Sequence, residues 1–382
     1  VTLTDNARIE SLKHLLIPPE QHYKSVAINN GTSFRPENQN EVDRLVYSYH
    51  QDQGLQCYRG GNSEKEAVPF EPEDKKIIFV GRYSPDKGLF ELAESLKRLY
   101  HEGQPVKGIF VGNFSEEARK KIAAIDPEYG KEYLLFTGRI DDVDKLASVY
   151  AFGNVTAIPS HHESFNLVAA ESLIMGTPVA ITNFSGMGDA YIETPARKGL
   201  KPIALPVDKP RSEFTDQKYF GVSIDSLTDQ IRTLITQPEL AVELAERGRE
   251  YALSHLNSTR MGLEYVSLFE KLLDDKEPTT TSSSSKKIRL AFFCTTTENT
   301  HGVPVVMNNI AQQLDCNNYE VSYIITDFDT PKVTFTDSHG KEHQFEDRKS
   351  FVNFMKMEGI EIDVLHSHSW HCSDFYKPEC AE

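Results

Sequence analysis

From Lys75 onward, short apolar runs alternate with stretches whose apolar residues recur at helical spacing. KKIIFVG reads as a buried strand, and Leu89, Leu92, Ala93, Leu96, Leu99 and Tyr100 then fall on one face of a helix. VKGIFVG repeats the strand, Glu116 to Lys121 opens a second helix, and YLLFTG is a third strand. Asp144 to Tyr150 is a short helix, VTAIP a fourth strand and Pro178 to Thr182 a fifth. Such alternation predicts a parallel sheet with helices on both faces, and in these sheets ligands sit at the carboxyl ends of the strands, where the strand order reverses. Ser223 opens three further helical stretches, the last being MGLEYVSLFEKLLDD.

On either side the pattern changes. Residues 1–34 read as a short strand, a helix from about Asp5 to Leu16, a turn at Pro18 and Pro19, and a strand from Ser25 to Ile28 ended by Asn29, Asn30 and Gly31. Residues 35–74 show no clear period and read as a linker. Lys276 to Lys287, KEPTTTSSSSKK, is the sharpest break in composition and reads as a flexible joint. Beyond it IRLAFFC, a helix through about Leu314, YEVSYIITDF, a polar hairpin-like region, a helix from Lys349 to Met357 and IDVLHSH read as the opening of a second α/β domain over 288–382.

The chain is organised around Ile158 to Val179, IPSHHESFNLVAAESLIMGTPV, a strand, loop and helix closed by Gly176 and Pro178. Glu163 lies in the loop and Glu171 eight positions on, slightly over two helical turns. If the loop curls toward the helix start, both carboxylates face one crevice. The helix N-terminus between them offers free N–H groups and a positive dipole end, which suit a phosphate. Sugar hydroxyls for the carboxylates and a diphosphate for the amides is the functional reading; a surface helix with two solvated glutamates is its plain alternative.

Composition narrows the choice. A chain of 382 residues fits two or three domains, and 39% hydrophobic with 10% aromatic residues is globular. No run approaches the roughly 20 apolar residues of a membrane span, so a soluble protein without an integral membrane segment is expected. A net charge of −16 argues against nucleic acid or an anionic membrane as the main partner. Cys57, Cys294, Cys316, Cys372 and Cys380 are too scattered for a disulfide framework, which makes a reducing cytoplasm the default. The chain starts at Val1 without an initiator Met or a signal pattern, and is expected to be cut from something longer.

Three further groups bear on chemistry. Arg82 and Lys87 share one strand-end loop, GRYSPDKG, bracketed by Gly81 and Gly88, where two cations can clamp a diphosphate and neutralise a leaving group. Asp327 and Asp329 form an Asp-x-Asp pair of the kind that holds a divalent ion, although a turn explains it sufficiently. His366, His368, His371 and Cys372 crowd the end of IDVLHSHSWHCS; no second ligand pair appears at zinc-binding spacing, and a His facing a cleft better suits a substrate hydroxyl.

Together GRYSPDKG, FTGRIDD followed by a strand and Pro-Ser, and ESFNLVAAESLIMGTPVAITN resemble the retaining glycosyltransferases of family 4, over about Lys75 to Asp275. Asn30-Gly31 with Phe34 and Pro36 resembles the family's stretch between its domains. The resemblance implies a GT-B fold of two Rossmann-like domains and transfer of a sugar from a nucleotide-diphosphate donor, UDP- or GDP-linked, to a glycan, lipid-linked or protein acceptor, without a cofactor or metal. It assigns the donor diphosphate to Arg82 and Lys87, the donor sugar to Glu163, the ribose to Glu171 and the base to Gly138, Arg139 and Ile140. Gly81 and the loop residues Ser164, Phe165, Asn166 and Leu167 would line the donor site. Gly302 would match a glycine-rich loop facing the phosphates, and His368, less closely His366 or His371, a cleft histidine.

Two departures carry consequences. The family usually has Gly where Ser164 and Asn166 stand, which implies a narrower pocket or a changed sugar preference. It also places the acceptor-side domain first, whereas IRLAFFCTTTENTHGVPVVMNNIAQQL and DVLHSHSW, which look like the start of that domain, follow the joint, and residues 1–34 look like its final part. A circular permutation and a slice through two tandem transferases both account for this order, and either leaves the acceptor-side domain incomplete. The rival functions are a nucleotide-sugar-binding module without turnover and a nicotinamide oxidoreductase; the latter is weak because no GxGxxG follows an early strand.

Overall fold

The structure, a computed structural model, describes residues 28–210, 221–274, 287–294, 302–326 and 331–367. It divides into two units, one ending at Asn257 and the other beginning at Ser258.

Residues 35–74, which read as a linker, are ordered parts of the first unit. Helix α1 (Gln39–Gln51) is capped by Asn38, whose side chain accepts from the Glu41 N–H. Val42, Leu45, Val46 and Tyr49 form its inward stripe, at the i, i+3, i+4, i+7 spacing of a helix face. Strands β1 (Leu55–Arg59) and β2 (Lys65–Val68) follow as an antiparallel hairpin. Leu55, Cys57 and Val68 are buried and their neighbours Gln56 and Ala67 are exposed, so the hairpin buries one face and shows no continuous apolar run.

The alternation expected after Lys75 is present. The strands are β3 (Lys75–Val80), β4 (Val106–Val111), β5 (Leu134–Gly138), β6 (Val155–Ile158), β7 (Val179–Thr182) and β8 (Leu205–Val207). Between and after them run α2 (Leu89–His101), α3 (Glu116–Ala123), α4 (Tyr129–Tyr133), α5 (Val143–Phe152), α6 (Leu167–Ile174), α7 (Ile224–Thr236) and α8 (Pro238–His255). Among the described residues the sheet has eight strands in the order β2-β1-β5-β4-β3-β6-β7-β8, with β3 through β8 mutually parallel and β1 antiparallel to β5. Successive residues of β3 point to opposite cores: Ile77 and Phe79 join α2 and α7, while Ile78 joins α1 and α5. Both faces are therefore covered, and the strands are mostly apolar. The chain runs outward from β3 through β4 to β5, then returns to the other side of β3 as β6. At such a reversal, beside the loops leaving β3 and β6, open α/β sheets place their ligands.

The second unit holds α9 (Ser258–Asp274), β9 (Ile288–Cys294), α10 (Gly302–Ala311), β10 (Tyr319–Thr326), β11 (Val333–Thr336), β12 (Glu342–Phe345), α11 (Arg348–Met357) and β13 (Val364–Ser367). Its sheet runs β12-β11-β10-β9-β13, with β10, β9 and β13 parallel and β11 and β12 an antiparallel edge hairpin. Helix α9, which reads from sequence as the last helix of the first domain, is grouped here: Tyr265 and Phe269 stand 4.9 and 6.1 Å from the ring of His366 on β13. Arg289 on β9 donates to both carboxylate oxygens of Asp363 at 3.0 and 2.9 Å, tying the two strand entrances together.

Candidate active site

The loops leaving β3 and β6 are fastened to each other. Gly81 opens the first, donating its N–H to the Val111 carbonyl at 2.9 Å, and a single 3-10 turn, Pro85–Lys87, closes it at Gly88. Gly88 has φ +67°, and a Cβ there would lie 2.1 Å from the Pro159 carbonyl oxygen. Only glycine permits both the left-handed backbone and that approach. The His161 N–H donates to the Asp86 carbonyl at 2.7 Å, and the His161 ring meets a Glu91 carboxylate oxygen of α2 at 2.7 Å.

This zipper brings Lys87 against Glu163. The Lys87 ammonium pairs with Oε1 of Glu163, and both side chains are 18% exposed. The same oxygen accepts from Ser160 Oγ at 3.2 Å and Asn166 Nδ2 at 3.1 Å. No partner stands within hydrogen-bond distance of Oε2 among the described residues, so one carboxylate oxygen is held and the other is open.

Asn166 also starts the helix behind the pair. Its Oδ1 accepts from the Ala169 N–H at 3.2 Å, capping α6, and its backbone sits at φ 74°. Asparagine tolerates positive φ better than most residues, which is how it occupies this place. Tyr191 donates to the Asn166 carbonyl at 2.7 Å, with the buried Phe165 ring 5.3 Å away. The turn after β7 holds Glu163 from behind: Ser185 Oγ donates to the Glu163 carbonyl at 3.1 Å and accepts from its N–H at 3.3 Å, and the Met187 N–H donates to that carbonyl at 3.2 Å. A Cβ on Gly186 would stand 2.0 Å from the Ser164 carbonyl oxygen. Ser164 is exposed and Leu167 partly buried against the core under α6.

Glu171 is the fifth residue of α6, just over one turn from its start. Tyr150, fully buried on α5, donates to its Oε2 at 2.9 Å. Burial pushes the Glu171 carboxyl up to about 7, against the lowering effect of that hydrogen bond. Phe34 packs edge-on to Tyr150 with ring centres 5.8 Å apart. Its N–H donates to Thr32 Oγ1 at 2.9 Å, and the Thr32 N–H to the Leu256 carbonyl at 2.8 Å, so the Asn30 to Pro36 stretch is anchored in the first unit.

The remaining expected residues are placed less convergently. Arg82 is 74% exposed and 3.8 Å from Asp86, outside the Lys87 and Glu163 contact. Gly138 takes φ +76° after β5, Arg139 pairs with Asp141 at 2.6 Å in solvent, and Ile140 packs on the core around Tyr150. Gly302 opens α10 in the second unit. His366 is buried there, 4.9 to 6.1 Å from the rings of Tyr265, Phe292 and Phe269. The expected helix from Asp5 to Leu16, the joint at 276–286, Asp327, Asp329, His368, His371 and Cys372 lie outside the described residues. Among the described residues no three His, Cys, Asp or Glu side chains gather as metal ligands, Cys57 and Cys316 are free thiols, and no helix is long and apolar enough to cross a membrane. Residues that the spacing argument missed are Ser160, Ser185, Tyr150 and Tyr191; the Asn-Phe-Ser-Gly turn after a strand was the available signal for one of them, and nothing marked the others.

Residues 62–200 match the family of glycosyl transferases group 1. That stretch, under half of the chain, is similar to the family, and it contains the switch point just described. CapM of Staphylococcus aureus, a capsular polysaccharide biosynthesis glycosyltransferase, is 26% identical over 206 residues, 53% of this chain and 47% of that protein. A D-inositol 3-phosphate glycosyltransferase of Gordonia bronchialis is 32% identical over 151 residues, 36% of this chain and 32% of that protein. The chain thus spans less than half the length of these two relatives. Among solved structures, sucrose-phosphate synthase from Thermosynechococcus elongatus matches with a TM-score of 0.50 at 22% identity, over 72% of this chain and 58% of that one. HepE of Anabaena, solved in complex with UDP and glucose, matches with a TM-score of 0.51 at 15% identity, over 71% and 62%. These likenesses show the fold: α/β, of the GT-B kind with Rossmann-like units.

Proposed function

We propose that the chain is a retaining glycosyltransferase that moves a sugar from a UDP- or GDP-linked donor to a hydroxyl of a glycan, lipid-linked or protein acceptor. The observation that carries the reading is the Lys87 and Glu163 pair at the switch point, beside the capped start of α6. In the donor complex the diphosphate takes over the Lys87 ammonium, and Arg82 swings from solvent to the same charge. The positive end of α6 adds to both, so leaving-group charge is met by fixed groups of the chain rather than by a metal ion. The bond from the anomeric carbon to the diphosphate oxygen breaks as the acceptor oxygen bonds to that carbon on the same face, and the hydroxyl proton leaves on the departing phosphate.

Glu163, released from Lys87, keeps Ser160 and Asn166 on one oxygen and offers the other to sugar hydroxyls. Glu171 accepts from the ribose, and the base lies against Gly138, Arg139 and Ile140. The test is a thermal-stabilisation screen of nucleotide sugars on the full chain, followed by assays of donor hydrolysis and transfer. A donor at a hundred times its dissociation constant stabilises by about 2.7 kcal/mol. Stabilisation with turnover supports the reading, stabilisation without turnover favours a binding module, and no response to any nucleoside diphosphate contradicts both.

A further inference from the structure

The amino ends of the strands carry a second cavity, at the end of β3 away from Lys87. Helix α1, the segment 69–76 and the end of α5 border an open cleft of about 740 Å3, within the volume range of small-molecule sites. Val46, Phe70, Pro72 and Ala151 give it apolar walls, and Tyr47, 55% exposed, stands at its side.

Lys76, the second residue of β3, lines this cleft although the residue is only 4% exposed. Its ammonium stands 5.1 Å from the centre of the Phe152 ring, whose other neighbours include His50 at 4.6 Å, Phe70 at 4.8 Å and Tyr49 at 5.4 Å. No carboxylate lies within ion-pair distance of Lys76 among the described residues. Asp74, adjacent in the chain, is engaged by the Lys107 ammonium at 2.6 Å and by the Glu71 N–H at 2.8 Å. Burial pushes the Lys76 amine down to about 8, with Lys75 and Lys107 adding to that and Asp74 opposing it. His50 is also lowered, by burial and then by the Lys76 charge. The cleft thus pairs a buried, un-neutralised cation with an aromatic wall, and charged groups are rarely buried without a partner.

We infer that this cleft binds a small aromatic monoanion, its charge on the Lys76 ammonium and its flat body against Tyr47. Asp43 also lines the cleft and disfavours more highly charged ligands. The site is separate from the donor crevice and stands whether or not the transferase reading does.

The test uses 8-anilinonaphthalene-1-sulfonate on the full chain, read by fluorescence, with 2-naphthoate and its neutral amide as competitors. The acid should displace the dye at roughly tenfold lower concentration than the amide, and Lys76→Met should abolish that preference. Ala151→Trp, at an exposed position on the cleft wall, should remove dye binding while leaving the circular dichroism unchanged. Equal displacement by acid and amide, a preference that survives Lys76→Met, dye binding that survives Ala151→Trp, or displacement of the dye by UDP would each overturn the assignment.

Discussion

Lys76 and Lys87 belong to the two ends of one strand, and the chain treats their charges in opposite ways. Lys87, in the loop at the carboxyl end, meets a carboxylate that is itself held by Ser160 and Asn166. Lys76, at the amino end, is buried against an aromatic ring with no carboxylate within ion-pair distance among the described residues. A paired cation can exchange its partner for a ligand anion only if the released carboxylate finds hydrogen-bond donors of its own. An unpaired one is a standing penalty until something neutralises it. The contrast separates a cation held by a carboxylate at the switch point from a cation without an ion-pair partner among the described residues.

The largest effect should come from removing the paired charge. Lys87→Ala is expected to lower turnover roughly a hundredfold or more, and an unchanged rate would take Lys87 out of the mechanism. Gly88→Ala should come next, because the new Cβ falls 2.1 Å from the Pro159 carbonyl at a left-handed position. It should part the two loops and destabilise the chain by about 1–3 kcal/mol, read as a lower Tm together with weaker donor binding; a Tm equal to wild type would mean that the loops are not locked.

Glu171 sharpens the same contrast through pH. Its folded value, about 7, lies above the ordinary carboxyl value of 4.5. Between those two values the unfolded chain has lost a proton that the folded chain keeps, so this group's contribution to stability falls as pH rises across that window. Glu171→Gln should flatten the decline in a denaturant series, and donor affinity in the wild type should improve as pH rises through about 7 and the carboxylate becomes a full acceptor. Affinity independent of pH there would remove Glu171 from ribose binding.

The smallest effect concerns Lys76, whose folded value of about 8 lies below the ordinary 10.5. From about 8 to 10.5 the unfolded chain holds the extra proton, so stability should rise with pH across that window. Lys76→Met should be at least as stable as wild type at pH 7 and lack the rise; a matching rise in the variant would assign it to another group.

How far these features could be read from the residues follows from their physics. Parallel strands such as KKIIFV and VTAI are buried on both faces, so each announces itself as an apolar run. The β1 and β2 hairpin buries one face only, and its alternation was lost among polar neighbours. Helix α1 did carry a periodic signal in Val42, Leu45, Val46 and Tyr49, hidden inside a polar stretch. The candidate site divides in the same way. Strand-end loops and a helix start were legible, but the contact of Lys87 with Glu163, 76 residues apart, depends on β6 lying beside β3. Spacing along the chain does not determine that order. Tyr150 as partner of Glu171 and Ser185 as the seat of Glu163 are tertiary contacts without a local motif. Arg82 shows the converse, since its loop suggested a clamp and the side chain stands in solvent beside Asp86.

The most direct measurement is calorimetric titration of UDP and GDP into the full chain and its Lys87→Met variant. At least one of the two should bind the wild type, and the variant should bind it roughly tenfold more weakly or worse, with the affinity for the bare nucleoside unchanged. Equal affinity of both proteins for the diphosphate, or no binding to either, would contradict the assignment of this crevice to a nucleotide-sugar donor.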